Sequence, residues 1–239
     1  MNLAEPWRGR PATVLAFFAR RLCRISVYGR SHLDVLDRPG PALIVVNHTT
    51  VVDVIVIVGT LHNLGFTVDG PCQGECTHRR HLRPIGTSDM WNYPMARTFC
   101  DGSGIIPVDQ HDGRAAYRAG LSALRTGQCV LIYPEGDVKT NEDASPRPWR
   151  PGAAALARSG DITVIPIAHH DSRSLGHGSV KKSILSALSR FFLLRPRIRI
   201  RIGEPITAAE LRELAPEDVG EYLESRLRAA WDEAATGVL

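Results

Sequence analysis

Short apolar runs recur along the chain, and a turn signal that contains Gly precedes each of them. The runs at 42–46, 105–108, 129–133 and 162–167 are rich in Val, Ile and Leu, which is typical of buried strands. In residues 198–202, Arg and Ile alternate. That alternation predicts a strand with one face in solvent.

Helical patterns fill the spaces between these runs. Residues 112–126 carry Arg at intervals among Ala and Leu, and residues 152–159 form a short segment rich in Ala. Residues 52–64 are predicted to be helical in spite of their β-branched content. Strands that alternate with helices predict an α/β fold, here a single domain with a central, mostly parallel mixed sheet flanked by helices.

Both ends of the chain are predicted to be helical. Residues 11–27 place apolar side chains at roughly helical spacing with Arg between them, which predicts a basic amphipathic helix. Residues 208–235 predict a polar amphipathic helical region. We therefore divide the chain into an N-terminal amphipathic segment (1–30), a central α/β domain (31–207) and a C-terminal helical region (208–239).

Composition and charge narrow the function only slightly. The chain has 239 residues, a net charge of +4 and a pI of about 8.9, which permits contact with phosphates, anionic lipids or acidic cofactors. No nucleic-acid recognition motif is visible, so we expect no nucleic-acid partner. Five irregularly spaced cysteines indicate a reducing compartment. Because no stretch has the roughly 18 apolar residues of a membrane span and no signal-peptide pattern is visible, we expect a cytoplasmic protein.

A carboxylate stands in an unusual place within an apolar stretch. Asp53 is flanked by Val and Ile, and burial of an unpaired charge costs several kcal/mol, so Asp53 requires a partner. His48 is the nearest candidate. Residues five apart on a continuous α-helix differ by about 140° in direction, so a pair requires His48 to precede the helix that contains Asp53. Such a pair could be a general base with its orienting carboxylate. Taken alone, the spacing favours a structural pair at a helix start.

The segment YPEGD, residues 133–137, directly follows the apolar run VLI. Pro134 and Gly136 predict a tight turn that holds Glu135 at the end of the strand. There Glu135 could accept hydrogen bonds from substrate hydroxyls. Taken alone, an ordinary turn with a solvated Glu explains the pattern better.

Taken together and in order, these segments resemble the motifs of the glycerophospholipid acyltransferase superfamily, the PlsC-like lysophosphatidic acid acyltransferases. NHTTVVD at 47–53 resembles the first motif, GIIPVDQ at 104–110 the second, YPEGD at 133–137 the third and VIPIA at 164–168 the fourth. The segment IRIGEPI resembles the closing strand of the family. The resemblance runs from about residue 27 to residue 206 and implies the PlsC-like acyltransferase fold.

The resemblance implies an O-acyltransferase. His48 would be the general base on a hydroxyl of a lysophospholipid-like acceptor, Asp53 would orient it, and Glu135 and Gly136 would bind substrate. The hydroxyl would attack an acyl thioester carried by coenzyme A or by acyl carrier protein. These carriers are co-substrates, so the resemblance implies no further cofactor and no metal. No covalent enzyme intermediate is implied, so no cysteine has to be a nucleophile.

The sequence departs from the family pattern where the phosphate of the acceptor would bind. Gln110 and Val138 stand where the family usually or often has Arg, and Asp137 adds a negative charge nearby. Either other basic residues rebuild the phosphate site, or the acceptor is a glycolipid or specialised metabolite that lacks a phosphomonoester. The candidates for a rebuilt site, together with Gln110 itself, are His111, Arg114, Lys139 and Arg150.

Three further interpretations stay open. The basic N-terminal helix could lie in a bilayer interface, as a peripheral contact on the inner face of the cell membrane, or it could pack its apolar face on the domain. A non-catalytic lipid-binding protein with this fold is a second hypothesis, although the presence of both His48 and Asp53 argues against it. A zinc site is the third, but four ligands within ten residues are hard to arrange tetrahedrally. Its ligands would be Cys72, Cys76, His78 and His81.

Overall fold

The computed structural model describes most of the chain, and its seven strands form one sheet. The described residues are 10–38, 40–50, 53–66, 81–109, 111–136, 145–170 and 195–237. The strands are β1 (Arg24–Tyr28), β2 (Ala42–Val46), β3 (Leu82–Thr87), β4 (Ile106–Val108), β5 (Cys129–Ile132), β6 (Thr163–His170) and β7 (Arg197–Ile202). Their order across the sheet is β1-β7-β6-β2-β5-β3-β4. Only β6 and β7 pair antiparallel among these strands, so the predicted α/β fold with a mostly parallel mixed sheet is confirmed.

Helices cover both faces of this sheet. They are α1 (Arg10–Leu22), α2 (Asp53–Asn63), α3 (Pro94–Gly102), α4 (Gly113–Arg125), α5 (Gly152–Ala157), α6 (Ala208–Glu213) and α7 (Val219–Thr236). Two 3₁₀ segments, Arg30–Asp37 and Ser88–Asn92, connect strands to the elements that follow them.

Alternation along the central strands divides the core in two. Ala42, Ile44 and Val46 of β2 face the cluster that includes residues of α2, whereas Leu43 and Val45 face the cluster that includes residues of α4 to α7. All five residues of β2 are buried. This accounts for its uninterrupted apolar sequence, because a central parallel strand is covered on both faces.

The predicted helix over residues 11–27 was too long. Helix α1 ends at Leu22, and residues 24–28 form β1, which pairs parallel to β7. Ile25 and Val27 pack against the core, whereas Arg24 and Ser26 are exposed. Arg residues recur through both α1 and β1, so this period of two resembles helical spacing in the sequence. The first strand of the sheet therefore lies N-terminal to residue 31.

The predicted C-terminal helical region consists of two helices. A capping box between Thr207 and Glu210 begins α6, which ends before Leu214 adopts an extended backbone. Pro216 lies in the break, where it cannot continue a helix. Helix α7 then packs across β6 and β7.

Helix α1 has two different faces. Ala16 and Ala19 are buried, and α1 lies along α2, whereas Phe17 and Phe18 are 62% and 44% exposed. Arg20 and Arg21 are also exposed. Of the two expected positions for this helix, packing on the domain is therefore observed, and its described buried residues, Ala16 and Ala19, are small. The aromatic side chains face outward, so contact with a bilayer stays a prediction. Across the described residues, every helix is too short or too polar to span a bilayer.

Candidate active site

Three neighbouring strands end at one edge of the sheet, and the candidate residues lie there. Strand β2 lies between β5 and β6 and pairs in parallel with both. His48 follows β2, Glu135 follows β5, and His169 is close to the end of β6. Sites of open α/β sheets lie at the carboxyl ends of their strands. The topology therefore brings together side chains that are far apart in the sequence.

His48 and Asp53 form the pair that the sequence required. Helix α2 begins at Asp53, and His48 precedes it, so the two side chains can meet. The imidazole Nδ1 lies 3.2 Å from Asp53 Oδ2. A carboxylate oxygen only accepts, so Nδ1 carries the proton and Nε2 presents its lone pair. The His48 side chain is 13% exposed and that of Asp53 is fully buried, so a reacting group can reach the imidazole but not the carboxylate.

Two histidines and nearby backbone N–H groups hold Asp53 ionised in spite of its burial. The N–H groups of Thr49 and Thr50 donate to Asp53 Oδ2 over 2.6 and 2.8 Å, and the Thr49 hydroxyl lies 3.3 Å from the same oxygen. Burial alone would raise the pKa of this carboxyl, but neighbouring His169, the hydrogen bond from His48 and the Thr50 N–H hold it below its usual value. Asp53 is therefore a paired anion at a helix start, where the helix dipole also favours negative charge.

The ring of Tyr133 packs against the imidazole of His48. Its ring stacks on His48 with centroids 4.2 Å apart and an interplanar angle of 26°. The hydroxyl is buried and has no hydrogen-bond partner among the described residues. Burial, together with the nearby charge of Asp53, raises the pKa of Tyr133 well above its usual value, so this phenol stays protonated. The sequence analysis named YPEGD but gave this aromatic residue no role.

Glu135 holds the backbone of His48. Its Oε1 accepts a hydrogen bond from the His48 N–H over 2.8 Å, and the backbone N–H of Arg147 also donates to this carboxyl. Burial raises the pKa of Glu135 to about 7, against the effect of these two hydrogen bonds. Contact between Glu135 and substrate hydroxyls stays a prediction. The structure adds a role in fixing the peptide from which the imidazole projects.

Gly136 lets a basic side chain lie against this turn. Gly136 has a φ of 74°, and a Cβ atom there would overlap the Arg150 side chain. The Arg150 N–H donates to the Pro134 carbonyl over 2.9 Å, which holds the two segments together. The Arg150 side chain is exposed. Of the residues predicted to bind the phosphate, Arg150 is the described one that lies beside Glu135.

The other predicted phosphate contacts are farther away or lie outside the described residues. Arg114 is exposed near the start of α4, which follows β4. Since β4 is three strands from β2 and strands lie about 4.8 Å apart, about 14 Å separates the ends of these strands. His111 is exposed and lies just before α4, near Arg114 in the chain. Gln110 and Lys139 fall outside the described residues, so their parts in a site stay predictions.

Asn47 and His169 are two site residues that the sequence analysis missed. The Asn47 side chain exchanges hydrogen bonds with the backbone of His169, donating to its carbonyl over 3.1 Å and accepting from its N–H over 2.9 Å. The match to the fourth motif stopped at Ala168, one residue short. The alternation of β6 could have found His169, because it shares a face with core residues Ile165 and Ile167.

The zinc hypothesis gains no support from the part of the chain that the structure describes. Within that part, no group of three or more His, Cys, Asp or Glu side chains could hold a metal ion. Cys72, Cys76 and His78 lie outside it. His81 is buried beside β5, where its carbonyl accepts a hydrogen bond from the Cys129 N–H over 2.8 Å.

Comparison with known proteins identifies the family and the fold of this chain. The family described as "Acyltransferase" matches residues 24–170, more than half of the chain. The crystal structure of the 1-acyl-sn-glycerophosphate (LPA) acyltransferase PlsC from Thermotoga maritima is similar, with a TM-score of 0.62 and 15% identity over 92% of this chain and 78% of that chain. No curated protein matches the sequence. The chain therefore belongs to the acyltransferase family and has the PlsC-like fold.

Proposed function

We propose that this protein transfers an acyl group from an acyl thioester to a hydroxyl of a lysophospholipid-like acceptor. The observation that carries the proposal is the His48–Asp53 pair, in which a buried carboxylate fixes the imidazole through Nδ1 while the ring is still reachable. The family match supports acyl transfer as the reaction, and the structural likeness supports the fold on which it takes place.

The proposed step uses His48 as the general base. Its Nε2 takes the proton of the acceptor hydroxyl as the oxygen attacks the thioester carbonyl. The tetrahedral intermediate then collapses, the C–S bond breaks, and the thiolate takes up the proton from the imidazolium. Asp53 stabilises that cation and holds the ring in the productive tautomer. Proton transfer of this kind contributes about 10²–10⁴-fold to rate.

The two co-substrates account for every atom in this step. The donor is an acyl thioester of coenzyme A or of acyl carrier protein, and the free thiol of that carrier is the second product. The three described cysteines, Cys23, Cys100 and Cys129, are buried, and the proposal gives them no chemical part.

Arg150 supports an acceptor that carries a phosphate. It lies against Gly136 next to Glu135, so a headgroup near His48 would come within reach of a guanidinium. A neutral acceptor, such as a glycolipid or a specialised metabolite, is the second candidate. It is favoured by the sequence, because Gln110 and Val138 replace family Arg residues and Asp137 adds negative charge.

We place the protein at the cytoplasmic face of the membrane as a peripheral protein. Phe17 and Phe18 are exposed on α1, beside Arg20 and Arg21. Aromatic side chains next to basic ones suit the interface of an anionic bilayer. A lipid acceptor would come to the enzyme from that bilayer.

The function is tested by direct assay. Purified protein is incubated with acyl coenzyme A or acyl carrier protein, together with lysophosphatidic acid or monoacylglycerol, and products are identified by mass spectrometry. His48→Ala is expected to lower turnover by about 10²–10⁴-fold, since it removes the base. Asp53→Asn is expected to lose much of the activity, because an amide cannot support the imidazolium.

The matched control is His62→Gln. His62 lies at the other end of α2, bonded to the Phe66 carbonyl, so wild-type turnover is expected from this variant. Near-normal turnover in a folded His48→Ala protein would overturn the mechanism. Binding of lipid without any acylated product from either donor would support the non-catalytic alternative.

A further inference from the structure

His169 places a second imidazole behind the His48–Asp53 pair. Its side chain is fully buried, with Nε2 lying 2.7 Å from the Asn47 carbonyl oxygen and 3.5 Å from Asp53 Oδ2. Both neighbours are hydrogen-bond acceptors, so Nε2 must carry a proton. The ring N–H therefore donates to the Asn47 carbonyl, and it lies beside the same carboxylate oxygen that His48 uses.

The backbone around His169 is fixed by the residue that precedes His48. The Asn47 amide bonds to both the N–H and the carbonyl of His169, which continues the contact of β2 with β6 beyond the pairing of Val46 with Ile167. Asn47 and His169 thus share three hydrogen bonds, one of them from the ring. A shift of His169 would move the peptide that carries His48.

The His169 ring acts on Asp53 without adding a charge. Burial lowers the pKa of His169, and the Asp53 carboxylate and the Asn47 carbonyl only partly oppose this. His48 and neighbouring His170 lower the pKa of His169 further. The ring is thus a neutral donor, and Asp53 keeps its negative charge for His48.

We propose that His169 is a positioning residue that acts through Asp53 and sets the basicity of His48. Its N–H dipole lies beside Asp53 Oδ2 and stabilises the negative charge there, so that Asp53 stabilises the His48 cation less than a carboxylate without this neighbour would. The consequence for the reaction rests on the proposed function. The effect on the His48 pKa does not, because it exists with or without acyl transfer.

The test measures the titration of His48 by NMR in protein labelled at histidine, with the signal assigned from its loss in His48→Ala. In His169→Leu, Asp53 loses this neighbouring N–H dipole, so its charge acts more fully on His48. The His48 pKa is expected to rise by about 0.5–1 pH unit. In His169→Gln, the amide N–H can replace the ring N–H, so the His48 pKa is expected to stay within about 0.2 pH unit of wild type.

Activity provides a second readout. The acid limb of the kcat/KM profile is expected to move upward with the His48 pKa in His169→Leu and to stay in place in His169→Gln. Among the described residues, the other titratable groups near the pair include Glu135, Tyr133 and His170, and none of them is altered. His62→Gln is the control. His62 lies at the other end of α2, bonded to the Phe66 carbonyl, so the His48 titration is expected to be unchanged.

Each outcome decides a separate claim. An unchanged His48 pKa in folded His169→Leu would overturn the role of His169, whereas a wild-type protein that transfers no acyl group would overturn the proposed function alone. If His169→Leu does not fold, the ¹⁵N shifts of the wild-type ring decide. A neutral ring protonated at Nε2 throughout pH 5–9 is expected, and a ring that titrates or carries its proton on Nδ1 would overturn the proposal.

Discussion

Three neighbours hold His48, and each constrains it in a different way. Glu135 accepts from its backbone N–H, Asp53 fixes Nδ1, and Tyr133 covers one face of the ring. The backbone position, the tautomer and the ring plane are thus set before any substrate arrives. Such preorganisation lowers the cost of reaching a reactive geometry.

The raised pKa of Glu135 gives a prediction about stability. With a folded pKa of about 7 and an ordinary unfolded pKa, Glu135 holds a proton in the folded state that the unfolded chain releases above about pH 4.5. Its contribution to the free energy of unfolding is therefore full at low pH and is lost as the pH rises through 7. The loss is expected to reach about 3 kcal/mol between pH 4.5 and 8. Urea unfolding across this range measures it.

Glu135→Gln is the matched variant for that measurement. Its amide oxygen can still accept from the N–H groups of His48 and Arg147, but it cannot ionise. The variant is expected to lack this decline in stability. The pKa of Asp53 is lowered, so its contribution is lost only in more acidic solution and does not obscure the comparison. Parallel curves for the two proteins would contradict the assignment.

Arg150 decides between the two acceptor classes. Arg150→Gln is expected to raise KM for lysophosphatidic acid roughly tenfold to a hundredfold, because a charged hydrogen bond contributes about 1.5–3 kcal/mol. The KM for monoacylglycerol is expected to stay unchanged. Steady-state kinetics with both acceptors measure the difference. Arg158→Gln, an exposed change at the end of α5, is the control.

A different result would favour the neutral acceptor. If wild type uses lysophosphatidic acid poorly and Arg150→Gln changes neither KM, then Arg150 is not a phosphate contact. Gln110→Arg is then expected to improve use of lysophosphatidic acid, since it restores the charge that the family pattern has at this position.

Among the elements, those with a clear period and a clear boundary were predicted best. Strand β2 and helix α2 lie within one residue of their predicted limits. Turn signals bound β2, and the carboxylate of Asp53 begins α2. Strand β3 was missed. Its sequence, LRPIGT, has Arg, Pro and Gly at positions where a strand normally shows apolar side chains. In this strand, Arg83 donates to the Gly104 carbonyl and to the Gln128 side chain. Both partners come from distant parts of the chain.

Helix α1 provides the prediction at this scale. The protein is expected to float with vesicles that contain anionic lipid and to be released by salt, because charge attraction is screened over about 10 Å at 0.1 M. Replacing Arg20 and Arg21 by Gln is expected to weaken binding at low salt roughly tenfold or more, since each basic residue contributes about 1 kcal/mol. Replacing Phe17 and Phe18 by Ser is expected to weaken the binding that salt does not remove.

The control for charge is the pair Arg158→Gln and Arg212→Gln. These residues lie at α5 and α6, whereas α1 packs on α2 on the other face of the sheet. Binding is expected to be unaffected by this pair. Equal flotation with neutral vesicles, insensitive to salt, would contradict an electrostatic role for α1.

At the scale of the whole molecule, the sequence indicated candidate site residues but not their arrangement. The motifs identified His48, Asp53 and Glu135 as candidates, and Glu135 was predicted to lie at the end of a strand. That β2 lies between β5 and β6 depends on the pairing of strands over long separations, which no local pattern encodes. For this reason His169 and Tyr133 were not connected to the pair, although both neighbour it in space.

The pairing of β1 with β7 affects how the chain reaches this structure. Arg24 pairs with Arg197, so one edge of the sheet joins the beginning of the chain to its last strand. During synthesis, β1 leaves the ribosome long before its partner exists. The pairing therefore closes a very long loop, and contacts of high sequence separation form slowly. A nascent chain is expected to keep an unpaired, aggregation-prone strand until β7 has emerged, which makes it dependent on a chaperone during that interval.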